Sequence, residues 1–283
     1  MSGSFSILTN VASLNAQRNV GRTQQALAGN LGRLSSGLRI QTAADDAAGL
    51  AISERLKSQI RSLGQAERNA LDGISLIQTA EGAMNEVSGI LTRMRELAMQ
   101  SSTGTLGDSE RAFLQNEFVA LRDEIDRIAA VTEFNGQSLL DGSLASSNAV
   151  EFQVGINATS NDTISVAIEQ LDSTTLGGTS GLSSLTISNA GGAQSSLATI
   201  DTAISDLSSA RSTLGAAQNR LNVTIANLGT ARENLSAANS RIRDVDVASE
   251  TAALTRNNIL QQAGVSVLAQ ANQAPAIALS LLG

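Results

Sequence analysis

The chain has 283 residues, with 19 Lys and Arg against 26 Asp and Glu, which gives a formal net charge of −7. It contains no His, Cys, Trp or Tyr, which excludes thiolate or imidazole catalysis, zinc or haem ligation and disulfides. Its one Lys, Lys57, does not follow a Gly-rich loop, and an acidic chain with 2% aromatic residues lacks the usual nucleic-acid footprint. We therefore expect no cofactor, no metal site, no enzymatic activity and no nucleic-acid partner.

The two ends of the chain share a charge pattern that the middle lacks. Residues 1–44 contain four Arg and no acidic residue, and residues 251–283 contain one Arg and no acidic residue. The N-terminus lacks the apolar run of a secretory signal; it fits a mitochondrial transit peptide, but that reading explains nothing about the matching C-terminal end. No stretch approaches 18 uninterrupted apolar residues, so we expect no membrane span. The shared pattern predicts that both ends occupy one environment.

Three helices are predicted in the first half of the chain. The first follows a 4-3-4-3-4 spacing from Val20 to Leu38. The second spans about 45–99 and begins at a cap formed by Asp45 or Asp46. It has an apolar residue at every seventh position, namely Leu56, Leu63, Ala70, Ile77, Met84, Leu91 and Ala98.

The third predicted helix spans 108–131, with Asp108 as its cap, and a short connection makes it antiparallel to the second. Its apolar stripe comprises Leu114, Phe118, Leu121, Ile125 and Ile128.

Residues 134–190 change character. Apolar residues alternate over 150–156 and again over 164–168, which predicts two half-buried strands. The Asn135-Gly136 and Asp141-Gly142 pairs predict turns. This segment therefore indicates a small β elaboration rather than an independent domain.

The strongest periodicity lies in a fourth predicted helix, over 194–243. Its companion heptad positions are mixed, with Arg211, Arg232 and Asn239 among them, and such polar positions fix the register of paired helices. At 1.5 Å per residue the second and fourth helices are each roughly 70–80 Å long, which is typical of a rod. One unbroken apolar seam comprises Ile200, Leu207, Leu214, Leu221, Leu228, Leu235 and Ile242.

The C-terminal segment is also helical in pattern, with Pro275 expected to perturb the last helix. Its aliphatic residues bury too little surface within one copy to offset the entropy of ordering the segment. We therefore expect the ends to fold when identical neighbours complete their surroundings, in a head-to-tail contact that generates a helical filament. The predicted fold is mainly α: a long antiparallel helical, coiled-coil rod with a small β-hairpin region, its terminal helices packed together in the polymer.

Four stretches of the sequence resemble the bacterial flagellins. They are LSSGLRIQTAADDAAGLAISERLKSQIRSL at 34–63, DGISLIQTAEGAMNEVSGILTRMRELAMQ at 72–100, EFNGQSLLDG at 133–142 and SRIRDVDVASETAALTRNNILQQAGVSVLAQANQAP at 240–275. The likeness covers most of the chain except about 143–195, where the family is variable. The chain resembles a short form with almost no outer domain.

The resemblance implies a structural subunit that polymerises into the hollow flagellar filament used for swimming. It implies three regions: a terminal inner-tube domain of 1–44 with 246–283, a helical rod domain of 45–142 with 190–245, and a β-rich outer region at 143–189. It also implies secretion through the flagellar export channel to the extracellular filament. The implied partners are an export chaperone, the filament cap and the hook-junction proteins.

The family is also recognised by a Toll-like innate receptor. The resemblance places its motif on Arg93, Leu97 and Glu117, although Arg93 also belongs to an ordinary charged helix face. Two alternatives to the filament subunit remain at this stage. A hook-filament junction protein shares the terminal helices, and a membrane-active amphipathic protein would use its acid-free ends to bind lipid.

Overall fold

The computed structural model describes residues 9–178 and 181–280 and is mainly helical, which confirms the predicted fold class. By its internal contacts the chain divides into two compact units: residues up to Ser58 together with those from Asn234 onward, and residues Gln59–Glu233. The first eight and last three residues of the predicted terminal domain lie outside the described residues. The helices are α1 (Val11–Ser36), α2 (Ala47–Ser101), α3 (Asp108–Val131), α4 (Ala190–Arg243) and α5 (Val247–Ser280), and the strands are β1 (Glu133–Phe134), β2 (Gln137–Ser138), β3 (Val150–Gln153) and β4 (Thr163–Val166).

The starts of α2 and α3 test the two predicted caps. Asp46 caps α2, because its carboxylate accepts a hydrogen bond from the backbone N–H of Gly49 at 2.9 Å. The prediction for α3 was wrong by one position: Gly107 is the N-cap residue and Asp108 is the first helical residue. The carboxylate of Asp108 instead lies 3.7 Å from the guanidinium of Arg111. Its negative charge in the first turn also interacts favourably with the positive end of the helix dipole.

The second unit has one continuous apolar core, to which α2, α3, α4 and the segment between α3 and α4 all contribute. The helix α2 is antiparallel to α3, because Arg93 pairs with Glu117 whereas Arg111 donates to the carbonyl of Ser101. It is antiparallel to α4 as well, because Arg95 pairs with Asp201 whereas the earlier Glu67 pairs with the later Arg232. Gly73 allows α2 and α4 to pack closely, because a Cβ atom at this position would lie only 3.2 Å from Cδ1 of Leu221. The core is therefore built along helix faces, as the heptad spacing predicts.

The β elaboration consists of two antiparallel strand pairs, β1–β2 and β3–β4. Asn135 and Gly136 connect β1 to β2, both with positive φ, which is the backbone that such a two-residue hairpin turn requires. The segment between α3 and α4 joins the helical core through eleven of its described residues, all buried and aliphatic: Leu139, Leu140, Leu144, Val154, Ile164, Val166, Ile168, Leu171, Leu176, Leu182 and Ile187. It is thus part of the core of the second unit.

Candidate interaction surfaces

The antiparallel helices α1 and α5 pack closely in the first unit. Gly264 allows the approach, because a Cβ atom there would lie 2.8 Å from Cγ2 of Val20. None of the α5 residues whose side chains are described, 247–273, is buried. Each helix therefore exposes large apolar side chains, namely Val11, Leu14 and Leu31 of α1 and Val247, Ile259, Leu260, Val265 and Val267 of α5.

Asn10 joins the start of α1 to the last turns of α5. Its side-chain oxygen accepts from the backbone N–H of Ser13 at 3.0 Å, and its amide nitrogen donates to the carbonyl of Ala271 at 2.7 Å. In a regular helix the backbone N–H of residue 275 would donate to this same carbonyl, but Pro275 has no N–H. The predicted perturbation does not end the helix, which continues past Pro275 to Ser280.

Arg33 of α1 lies between two carboxylates of the first unit. It is 3.6 Å from Asp45 and 3.7 Å from Glu250. The pKa of Asp45 lies below its ordinary value, because the backbone N–H and the hydroxyl of Thr42 donate hydrogen bonds to its carboxylate. These contacts position the segment between α1 and α2 beside the start of α5.

The predicted seam of α4 faces the interior of the subunit. Leu207, Leu214, Leu221 and Leu228 are buried, and Leu235 is half-buried. On α2, six of the seven heptad positions, from Leu63 to Ala98, are buried, and Leu56 is half-buried. The seam therefore holds the helices of one copy together and is not a free surface for a neighbour.

Charged residues at the companion heptad positions of α2 and α4 pair with one another. Within the second unit, Glu67 pairs with Arg232 at 2.6 Å and Glu81 with Arg211 at 3.7 Å. Each pair is exposed enough that it contributes about 0–1 kcal/mol to stability. The two pairs matter more for the register between α2 and α4, because a shift of one helix along the other would separate both pairs.

Of the three residues of the receptor motif, two are in contact and accessible. Arg93 donates hydrogen bonds to the carboxylates of Glu117, at 2.9 Å, and Glu96, at 3.0 Å, and these bonds raise the pKa of Arg93 above its ordinary value. Arg93 and Glu117 are both about half exposed. Leu97 has no exposed surface and belongs to the core.

The two most exposed large apolar residues described in the second unit were missed by reasoning from the sequence. Phe113 is 73% exposed and Val223 is 71% exposed. Phe113 could have been found, because it is the one aromatic residue of α3 that falls outside the predicted stripe. Val223 could have been found in the same way, because it lies outside the predicted apolar seam of α4.

Two kinds of site are absent from the part of the chain that the structure describes. No described helix is long and apolar enough to cross a membrane. Within the same residues, no three Asp or Glu side chains cluster closely enough to hold a metal ion.

Comparison with known proteins identifies what these helices resemble. A family model described as the bacterial flagellin N-terminal helical region matches residues 7–145, and one described as the bacterial flagellin C-terminal helical region matches residues 197–282. A flagellin of Halalkalibacterium halodurans is 50% identical over 273 residues, which cover 96% of this chain and 98% of that protein.

Two further comparisons bear on the length and the fold. A flagellin of Escherichia coli K12 is 47% identical over 171 residues, which are 60% of this chain and 33% of that protein. This chain is therefore a short form without the large middle region of long relatives. A solved structure described as a putative flagellar hook-associated protein from Vibrio parahaemolyticus matches 71% of this chain with a TM-score of 0.60 and 16% identity, which shows a shared fold alone.

Proposed function

The chain belongs to the bacterial flagellin family and is a structural subunit of the flagellar filament used for swimming, and from this premise we propose that α1 and α5 carry the surface through which subunits polymerise. The observation that carries the proposal is the apolar exposure of both helices in a single copy. Several large apolar side chains exposed on two packed helices favour an association surface. The high identity to flagellins along nearly the whole chain favours a filament subunit over a hook-filament junction protein.

We propose that the three regions expected from the sequence form three different layers of the filament. Residues 1–44 with 246–283 form the inner layer, because their helices leave apolar residues for neighbours to bury. Residues 45–142 with 190–245 form the surrounding layer, whose core is already complete in one copy. Residues 143–189 form the outward region. A structural role of this kind requires no catalytic residue.

Replacing an exposed apolar residue of α5 with a charged one tests this proposal. We expect Ile259→Asp to abolish filament formation, because polymerisation would bury an unpaired carboxylate at a cost of several kcal/mol. The measurement is electron microscopy of the purified protein together with sedimentation of polymer over a range of concentrations.

Asn258→Asp is the matched control, since it introduces the same carboxylate at the adjacent exposed position of α5. We expect this control to polymerise near the wild-type concentration if Ile259 and not Asn258 faces a neighbour. Normal filaments from Ile259→Asp would show that α5 is not an assembly surface.

We further propose that the subunit is secreted through the flagellar export channel and added at the filament tip beneath the cap. An export chaperone would cover the apolar residues of α5 before assembly, when no neighbouring subunit is present to bury them. Ile259, Leu260, Val265 and Val267 support this part of the proposal, because all four are exposed on one helix. Hook-junction proteins would receive the first subunits of the filament.

A Toll-like innate receptor is a further proposed partner, with Arg93 and Glu117 as its direct contacts. The ion pair between them, at 2.8 Å, presents a fixed pair of charges on the surface of α2 and α3. Leu97 is fully buried and would therefore act through packing rather than through contact.

Alanine substitutions separate these receptor roles. We expect Arg93→Ala and Glu117→Ala each to reduce receptor signalling by at least about tenfold, as loss of a charged interface contact does. Signalling by a reporter cell exposed to purified monomer is the readout. Arg127→Ala, which removes an exposed Arg paired with Glu124 on α3, should leave signalling unchanged. Signalling at the wild-type level by all three variants would show that Arg93 and Glu117 are not receptor contacts and would remove this partner from the proposal.

A further inference from the structure

A groove in the second unit lies between the β3–β4 region and α4. Its volume is about 650 Å³, which is ample for one large side chain. Leu63, Val154 and Ile164 line it with apolar surface, and Val223 exposes 71% of its surface at the same groove. Such a recess with an exposed apolar rim is suited to an apolar anchor from a partner.

The same unit also carries an apolar protrusion. Phe113 of α3 is 73% exposed, which is the largest exposure of any large apolar side chain that the structure describes. It cannot reach the groove of its own copy. The start of α3 lies beside the start of α4, where the side chain of Gln115 accepts from the backbone N–H of Ile187 at 2.6 Å, whereas Val223 lies about 50 Å further along α4.

The charges beside these two residues are complementary. Glu110 precedes Phe113 by three residues on α3, and Arg220 precedes Val223 by three residues on α4. Each therefore lies on the same helix face as its apolar neighbour. Both charges are exposed, and neither has a hydrogen-bond or ion-pair partner among the described residues.

We propose that Phe113 of one copy inserts beside Val223 in the groove of the next copy, with Glu110 of the first facing Arg220 of the second. The occupant is a second copy of this chain, because the subunit polymerises, because protrusion and recess are both apolar, and because Glu110 and Arg220 have opposite charges. The groove also contains Asp162, whose carboxylate already accepts a hydrogen bond from Thr159 at 2.6 Å. Because the protrusion and the recess lie at different places on each subunit, their contact is head-to-tail. Repeated head-to-tail contacts that do not close a ring generate a filament. This inference rests on the proposed polymerisation and adds to it a second contact, away from α1 and α5.

Charge reversal in the full-length protein tests this contact. Arg220→Glu opposes two carboxylates, so we expect it to raise the protein concentration needed for polymerisation at least tenfold. Phe113→Ala removes the anchor and should raise it by a similar factor. The double variant Arg220→Glu/Glu110→Arg restores an opposite-charge pair and should polymerise within about threefold of wild type. Sedimentation of seeded polymer gives these concentrations, and circular dichroism checks that each variant monomer is folded.

The matched control is Arg220→Glu/Glu133→Arg, which has the same net charge as the rescuing pair but places the new Arg on β1, where Glu133 is exposed. We expect it to remain as impaired as Arg220→Glu alone. Polymerisation of the single variants at the wild-type concentration, or equal rescue by both double variants, would overturn the contact while leaving the polymerisation itself intact. Failure of the wild-type protein to polymerise would instead overturn the assembly function, and the contact with it.

Discussion

Leu221→Asp is expected to unfold the second unit. Leu221 has no exposed surface, and its Cδ1 atom would lie 3.2 Å from a Cβ atom at Gly73, so the site has no space for water around a carboxylate. Burying an unpaired charge there and losing the leucine packing together cost at least about 4–5 kcal/mol. This cost is comparable with the total stability of many domains, which is about 5–15 kcal/mol. Thermal unfolding followed by circular dichroism should show a large loss of helix at room temperature or a greatly lowered Tm.

Val223→Asp is the control for Leu221→Asp. It places the same carboxylate two residues further along α4, at a position that is 71% exposed. Asp and Val have similar helix propensities, so we expect a change within about 0.5 kcal/mol. An unchanged melting curve for Leu221→Asp would mean that the seam of α4 does not hold the second unit together. In polymerisation assays, by contrast, Val223→Asp should be defective, because it alters the proposed groove.

Helix positions were the most predictable part of this structure. An apolar residue at every seventh position can be buried only if the helix runs without interruption, and both long helices do so. The polar companions were also informative, since Glu67 and Glu81 of α2 meet Arg232 and Arg211 of α4. Which Glu meets which Arg depends in addition on the register between the two antiparallel helices, which heptad position alone does not fix.

Features that depend on distant parts of the chain could not be predicted in this way. The hydrogen bond from Asn10 to the carbonyl of Ala271 joins residues 261 positions apart, and no local pattern relates them. The burial of Leu97 depends on which faces of α2 the other elements of the core cover.

Hydrogen exchange of the backbone amides in α1 and α5 tests the central claim most directly. In an isolated monomer these helices bury few apolar side chains, so local opening costs little and their amides should exchange quickly. In the filament, identical neighbours should bury the exposed residues of both helices, and exchange should slow by at least about a hundredfold, which corresponds to roughly 3 kcal/mol. Amides of α4 around Leu221, whose core is complete in one copy, serve as the internal reference.

The measurement compares monomer and filament by mass spectrometry at one pH and temperature. The account predicts fast exchange in α1 and α5 of the monomer, strong protection of both in the filament, and little change around Leu221. Equal protection of α1 and α5 in the monomer and in the filament would contradict it, because neighbouring subunits would then contribute nothing to the stability of the terminal helices.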